Sequence, residues 1–290
     1  MKIIHIISRT PPPIANLIDI SVNKLLLQIS RKIKCDVSQL GLVTEKLLSA
    51  VENCDADAGE WLATIRDFEK CGLDRATFEK STEKRLLFNF VRRWKPKTVL
   101  EIGTFLGHSA LVFASALTKA HKDSGSFRIC SVDVVDVNDE SEGYWTKFGQ
   151  RRSPQELSYA VEADAVIEFV QSDSVRFLNE CRESFDMIFI DGHHRATTVY
   201  QEITLSLSRL NSGGILLLHD YYPFTAVPRN RKIIPGPYMA VQRLCNEGVT
   251  FDALPLCTVC ETRRIPTSLC VIASRSDSRR TDYPSIADVE

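Results

Sequence analysis

From Thr98 onward the chain alternates short apolar runs with longer helix-patterned stretches, a rhythm that few folds besides an open α/β sheet accommodate. The runs are Thr98 to Ile102, Arg128 to Val132, Ile167 to Val170, Met187 to Ile190 and Ile215 to Leu218. Helical segments such as Ser109 to Lys119, Ser153 to Asp164 and Ala196 to Leu210 lie between them. Strands joined by helices run parallel and are covered on both faces. A late pair of runs, Phe251 to Leu256 and Ser268 to Ala273, completes the set. The expectation is a doubly wound, mostly parallel, seven-stranded sheet whose ligands sit beyond the carboxyl ends of the strands.

The first of those ends is the most specific. In TVLEIGTFLGHSAL (Thr98 to Leu111) an apolar strand runs through Glu101 into Gly103, Gly107 and a helix start. Glycines let backbone approach a ligand, and a helix N-terminus offers free amide hydrogens to a carboxylate or phosphate. Glycine-containing strand–helix turns also arise from packing alone, so the remaining strand ends have to carry the argument.

Composition narrows the class. A chain of 290 residues, 44% hydrophobic and with net charge −1, can bury a full core and has no charge bias toward nucleic acid or an anionic membrane. No run approaches the roughly 20 apolar residues of a spanning helix. The opening MKIIHIISRTPPP lacks a sustained apolar core and does not resemble a secretory signal, so a cytoplasmic location is expected. Nine scattered cysteines fit reduced thiols better than a disulfide scaffold. Cys257 and Cys260 form the only CxxC, which is two ligands where a zinc knuckle needs four.

Residues 1–80 read as an N-terminal helical cap, lid or dimerisation region, 81–275 as the sheet domain and 276–290 as a polar tail. Ile18, Val22, Leu25, Leu26, Ile29 and Ile33 mark one apolar helix face. A second helix, with Leu86, Leu87, Phe90, Val91 and Trp94, should end before Pro96.

Five strand ends carry polar or acidic residues: EIGTFLGHS after the first, Asp133 after the second, Ser172 to Ser174 after the third, IDGHH with Asp191, His193 and His194 after the fourth, and HDYY with His219 and Asp220 after the fifth. With these pieces in this order the chain resembles the class I S-adenosylmethionine-dependent methyltransferases, whose sheet is Rossmann-like. The likeness is to the small-molecule O-methyltransferase branch: catechol- and caffeoyl-CoA-type enzymes and the macrocin O-methyltransferase and cephalosporin-hydroxylase-like group. It spans roughly residues 81–275 and is strongest in VLEIGTFLGHSAL and FDMIFIDGHHRATTVYQEITLSLSRLNSGGILLLHDYYP.

The resemblance implies S-adenosylmethionine as cofactor, with Glu101, Gly103, Thr104 and Phe105 around its methionine part and Ser109 meeting its carboxylate. Asp133 would accept the ribose hydroxyls, Asp173 or Ser174 would meet the adenine edge, and Asp191 would border the same site. Phe105 stands where many class I members have a third glycine. Taken without the resemblance, Asp133 reads as a loop residue, Ser109 as a helix N-cap and Asp173 as a turn former.

For the reaction centre the resemblance implies a divalent metal held by Asp191, His219 and Asp220, beside His194 as general base. Oxygen ligands suit Mg²⁺, while His219, where the family usually has a carboxylate or amide, opens three alternatives: a shift toward Mn²⁺, Fe²⁺ or Zn²⁺, a step back from the ion, or no metal. Neutral imidazole suits His194 to its task near neutral pH; a solvated loop histidine is the bland reading, and it holds with more force for His193. Tyr221 to Pro237, with four prolines and the basic run Arg229 to Lys232, reads as a loop over the strand ends. The implied activity is O-methylation of a small-molecule hydroxyl on a natural product, sugar or phenol, with homodimerisation through the N-terminal helices. Two rivals remain: other chemistry on the same bound sulfonium, and a non-enzymatic cofactor-binding scaffold.

Overall fold

The computed structural model describes residues 58–121, 126–222, 234, 236–249, 251–260 and 263–274. The expected helix over Ile18 to Ile33, most of the loop between Tyr221 and Pro237, and the tail over 276–290 lie outside the described residues.

Three helices precede the sheet: α1 (Ala58–Lys70), α2 (Arg75–Glu79) and α3 (Thr82–Trp94). The first turn of α3 is satisfied by Ser81, whose hydroxyl accepts the Lys84 N–H, and its end is set by Lys95 in the left-handed conformation just before Pro96. The described part of the expected cap is not a separate layer. Trp61, Ile65, Phe68 and Phe78 share one buried cluster with Leu111 and Phe113 from the first crossover helix and Phe189 and Ile215 from the sheet. Each such fully buried side chain contributes about 1.5–3 kcal/mol.

The alternating half follows as β1 (Thr98–Ile102), α4 (His108–Ala120), β2 (Arg128–Asp133), a short 3₁₀ turn (Tyr144–Phe148), α5 (Pro154–Ala160), β3 (Ile167–Gln171), α6 (Ser174–Glu180), β4 (Phe185–Ile190), α7 (Ala196–Arg209), β5 (Leu210–Leu218), α8 (Gly236–Asn246), β6 (Phe251–Cys260) and β7 (Arg263–Ser274). The start of α5 carries the full reciprocal cap that its sequence spells: Ser153 accepts the Glu156 N–H while the Glu156 carboxylate accepts the Ser153 N–H.

The strands form one sheet in the order β3-β2-β1-β4-β5-β7-β6. The first five pair in parallel, and the late β6–β7 hairpin adds antiparallel through β7 on β5. Pro255 is accommodated because β6 is the edge strand, where a missing amide hydrogen is tolerated. A second buried cluster, including Leu100, Ile188, Ile203 and Leu216, fills the opposite face. Among the described residues five cysteines are free thiols, and no helix is long and apolar enough to cross a membrane. Cys257 and Cys260 fall on a part of β6 whose side chains lie outside the described residues.

Candidate active site

The chain leaves β1 toward β2 and β3 on one side and reaches β4 and β5 on the other, so a crevice opens where the order reverses. There the strand ends border a cavity of about 570 Å³. Each strand is extended one residue past its ladder by a cross-strand bond: Gly103 N–H to Val132 O (2.8 Å), Asp191 N–H to Ile102 O (2.8 Å), Ser172 N–H to Asp133 O (2.8 Å) and His219 N–H to Ile190 O (2.9 Å). Asp191 and His219 are therefore fixed by sheet backbone.

Gly103 has φ of 97°, and a Cβ there would lie 2.3 Å from the Asp191 carbonyl oxygen. Only glycine lets the β1 turn close against the β4 end. Asp133 accepts the Phe105 N–H at 2.9 Å and the Val135 N–H at 3.1 Å, one on each carboxylate oxygen. A carboxylate has about four acceptor sites, so both oxygens keep capacity toward the cavity that Asp133 lines. Asp173 caps α6 by accepting the Arg176 N–H at 3.0 Å, and Ser174 follows it; both line the cavity.

Glu101, Thr104 and Ser109 are placed differently, beneath the turn and outside the cavity lining. Thr104, 2% exposed, pairs with the Ser131 hydroxyl at 2.7 Å, and Ser131 donates in turn to the fully buried Glu101. Burial pushes the Glu101 carboxyl up to about 8, against the hydrogen bonds from Ser109 and Ser131 and with the charges of Asp191 and Asp133. This buried hydroxyl–carboxyl network shapes the turn from behind. Ser109 is not the N-cap of α4 either; that position is Gly107, in the left-handed conformation.

Phe105 also adopts a left-handed backbone, φ 50°, which is uncommon for a bulky residue. Its ring stays 45% exposed at the cavity mouth, edge-on to Phe148 at 4.7 Å and to Tyr144 at 6.2 Å.

His194 lines the cavity with its Nε2 3.3 Å from Asp220 Oδ2. Its backbone is fixed by α8: a Cβ on Gly236 would sit 1.9 Å from the His194 carbonyl oxygen. His193 is exposed, and its Nδ1 accepts the Arg195 N–H at 3.1 Å, a turn-forming role.

His219 stands behind Asp191. Its Nδ1 lies 2.8 Å from Asp191 Oδ1 and 3.5 Å from Asp220 Oδ1, while its Nε2 lies 3.1 Å from Glu83 Oε2 on α3. Burial alone would lower its pKa, but the facing carboxylates of Asp191 and Glu83 override that and raise it to about 10. The next residue on α3, Lys84, is held below its ordinary value by burial, with Glu83 and Asp191 pulling the other way.

The three residues expected to grip a metal are thus brought together, but they do not fit one as they stand. Among the described residues no group of three or more His, Cys, Asp or Glu side chains is arranged to hold a metal ion.

Two residues of the site carry no sequence signal that was read. Glu83 is one. Glu202 on α7 is the other: fully buried, it accepts the Ser174 hydroxyl at 2.6 Å, leaves Oε2 without a hydrogen-bond partner, and is pushed by burial up to about 7. Its signal was available, since Glu202 falls on the apolar stripe of Val199, Ile203 and Leu207.

Residues 100–221 match a family model described as a methyltransferase domain. Among solved structures, cofactor-bound Rv0187 from MTB superimposes with a TM-score of 0.50 at 14% identity, covering 76% of this chain and 91% of that one. The SAH-bound methyltransferase PaMTH1 of Podospora anserina gives 0.50 at 15% identity, covering 84% and 100%. At such identities the likeness is one of fold. No curated protein sequence matches the chain.

Proposed function

We propose that this chain, whose residues 100–221 match a family model described as a methyltransferase domain, moves a methyl group from S-adenosylmethionine to a hydroxyl oxygen of a small molecule. The observation that carries this reading is one cavity lined at once by Gly103, Asp133, Asp173, Ser174, Asp191 and His194, from four successive parallel strand ends. Asp133, with a lone pair left on each oxygen, accepts the two ribose hydroxyls; Asp173 and Ser174 border the adenine; the Gly103 turn, pressed on Asp191, borders the methionine part.

The cofactor supplies an electrophilic methyl on a sulfonium, whose C–S bond breaks as the acceptor C–O bond forms. His194 removes the hydroxyl proton. A proton on Nε2 faces Asp220, which leaves the Nδ1 lone pair as the acceptor, and the Asp220 carboxylate stabilises the imidazolium that results. A positioned base of this kind contributes on the order of 100-fold or more. No step here is routed through a metal.

Calorimetric titration of S-adenosylhomocysteine into the purified chain tests the reading directly. Micromolar binding is expected, and no binding with or without Mg²⁺ would overturn it.

A further inference from the structure

We propose that Glu202 selects the base of the cofactor: by taking the Ser174 hydroxyl proton it turns the Ser174 oxygen to the cavity as an acceptor, which matches the amino group of a 6-aminopurine and opposes a 6-oxopurine. The inference rests on the methyltransferase reading above, which sets adenine beside Asp173 and Ser174, and adds to it a positioning role for Glu202.

Glu202 stands where packing alone calls for an apolar residue. It is fully buried on α7, on the stripe of Val199, Ile203 and Leu207. A carboxyl is unfavourable in such a setting unless its oxygens are paired. Oε1 accepts the Ser174 hydroxyl at 2.6 Å, and Oε2 has no hydrogen-bond partner. The one bond that Glu202 makes is therefore to a residue of the cavity wall. The site is built around that pair: Thr198 and Glu202 stand one turn apart on α7 and line the cavity with Ser172, Asp173 and Ser174 from beyond β3. Gly192 puts no side chain in the way, and a Cβ there would lie 3.8 Å from Glu202 Oε1.

The hydroxyl has one proton and two lone pairs. An ionised carboxylate only accepts, so the Ser174 proton lies on the line to Oε1 and the half-buried Ser174 oxygen offers the cavity lone pairs alone. Its neighbour Asp173 is exposed and accepts the Arg176 N–H through Oδ1 to cap α6. A ligand group meeting Ser174 must then donate. The 6-amino group of adenine does so, whereas a 6-oxo group would set acceptor against acceptor and leave both unpaired. Without Glu202 the hydroxyl would be free to rotate and could serve either group.

The test is calorimetry on the full chain with S-adenosylhomocysteine and its 6-oxo analogue, S-inosylhomocysteine. It is run at about pH 8, above the value of about 7 to which burial pushes Glu202, so that the carboxylate can only accept. The parent should favour the amino ligand by at least about tenfold. Glu202→Met keeps the side-chain length and suits the apolar stripe. It should bring the two affinities within about threefold of each other, chiefly by tightening the 6-oxo ligand, a gain that a merely structural loss does not produce. Ser174→Ala removes the hydroxyl itself at a half-buried position and should lower the preference as well, so the idea remains exposed even where Glu202→Met fails to fold. Retention of the parent's preference by Ser174→Ala, or by a folded Glu202→Met chain, overturns the proposal. So does a parent that binds both ligands alike. A parent that binds neither ligand refutes the methyltransferase reading itself, so the two failures are told apart.

Discussion

Glu101→Gln isolates the buried network under the cofactor turn. Glu101 is fully buried, and its folded-state value of about 8 lies well above the ordinary 4.5. Between those values the folded chain keeps a proton that the unfolded chain has lost. Folding stability therefore falls as pH rises through this window, by up to about 1.4 kcal/mol per pH unit. Below the ordinary value both states are protonated and the contribution is level. Glutamine has the shape of the neutral acid and does not titrate, so the variant lacks this slope while every other titrating group is retained. Relative to the variant, the parent should lose roughly 3 kcal/mol between about pH 5 and the folded-state value. Urea unfolding of both chains at unit steps of pH, followed by circular dichroism, reads the difference. A parent-minus-variant stability that stays flat within about 0.5 kcal/mol, or that rises with pH, would show that Glu101 is ionised in the folded state and that the reasoning from its burial is wrong.

Other perturbations separate the parts of the site. Gly103→Ala places a Cβ against the Asp191 carbonyl at a left-handed φ, and should cost at least about 2 kcal/mol in thermal or urea unfolding; a melt unchanged from the parent would remove the close approach from the argument. Asp133→Ala deletes the proposed acceptor of both ribose hydroxyls and should weaken S-adenosylhomocysteine binding about 100-fold by calorimetry, whereas parent-like affinity would end the ribose assignment. His194→Ala should lower turnover on the order of 100-fold while leaving cofactor affinity within a few fold. Turnover within a few fold of the parent excludes His194 as the base.

Much of the sheet was legible because buried parallel strands are apolar almost throughout. β1 runs from Thr98 to Ile102 as its pattern indicated, and β2 and β3 extend one residue beyond theirs. β5 was read from Ile215 but begins at Leu210, because its opening Asn211-Ser212-Gly213-Gly214 is polar and glycine-rich and falls in the register shift between the Phe185–Leu210 and Met187–Ile215 pairs. The seven-residue α6 was missed because so short a helix shows too little periodicity. At the site, the residues beyond each strand end were found by position alone. What position could not supply was the direction each side chain takes: Glu101 and Thr104 are buried, and with Ser109 they belong to a hydroxyl–carboxyl network beneath the turn. Glu83 had a sufficient local explanation as an acidic residue in the first turn of a helix, and its partner lies 136 positions away. No local pattern reports a pairing of that range.

The end of β5 shows how two adjacent residues can serve one site. Successive side chains along an extended strand point to opposite faces, so His219 and Asp220 would ordinarily diverge. Asp220 instead adopts a left-handed backbone, φ 52°, immediately past the strand. That turn brings its carboxylate back toward the same end of the sheet, within 3.5 Å of His219 Nδ1 through Oδ1 and 3.3 Å of His194 Nε2 through Oδ2. The conformation costs on the order of 1 kcal/mol for a residue with a Cβ, and aspartate tolerates it better than most. Glycine would remove that cost and lose the carboxylate, while an extended aspartate would keep the carboxylate and turn it away from His194. The strain is therefore the geometric condition for one carboxylate to lie beside both histidines.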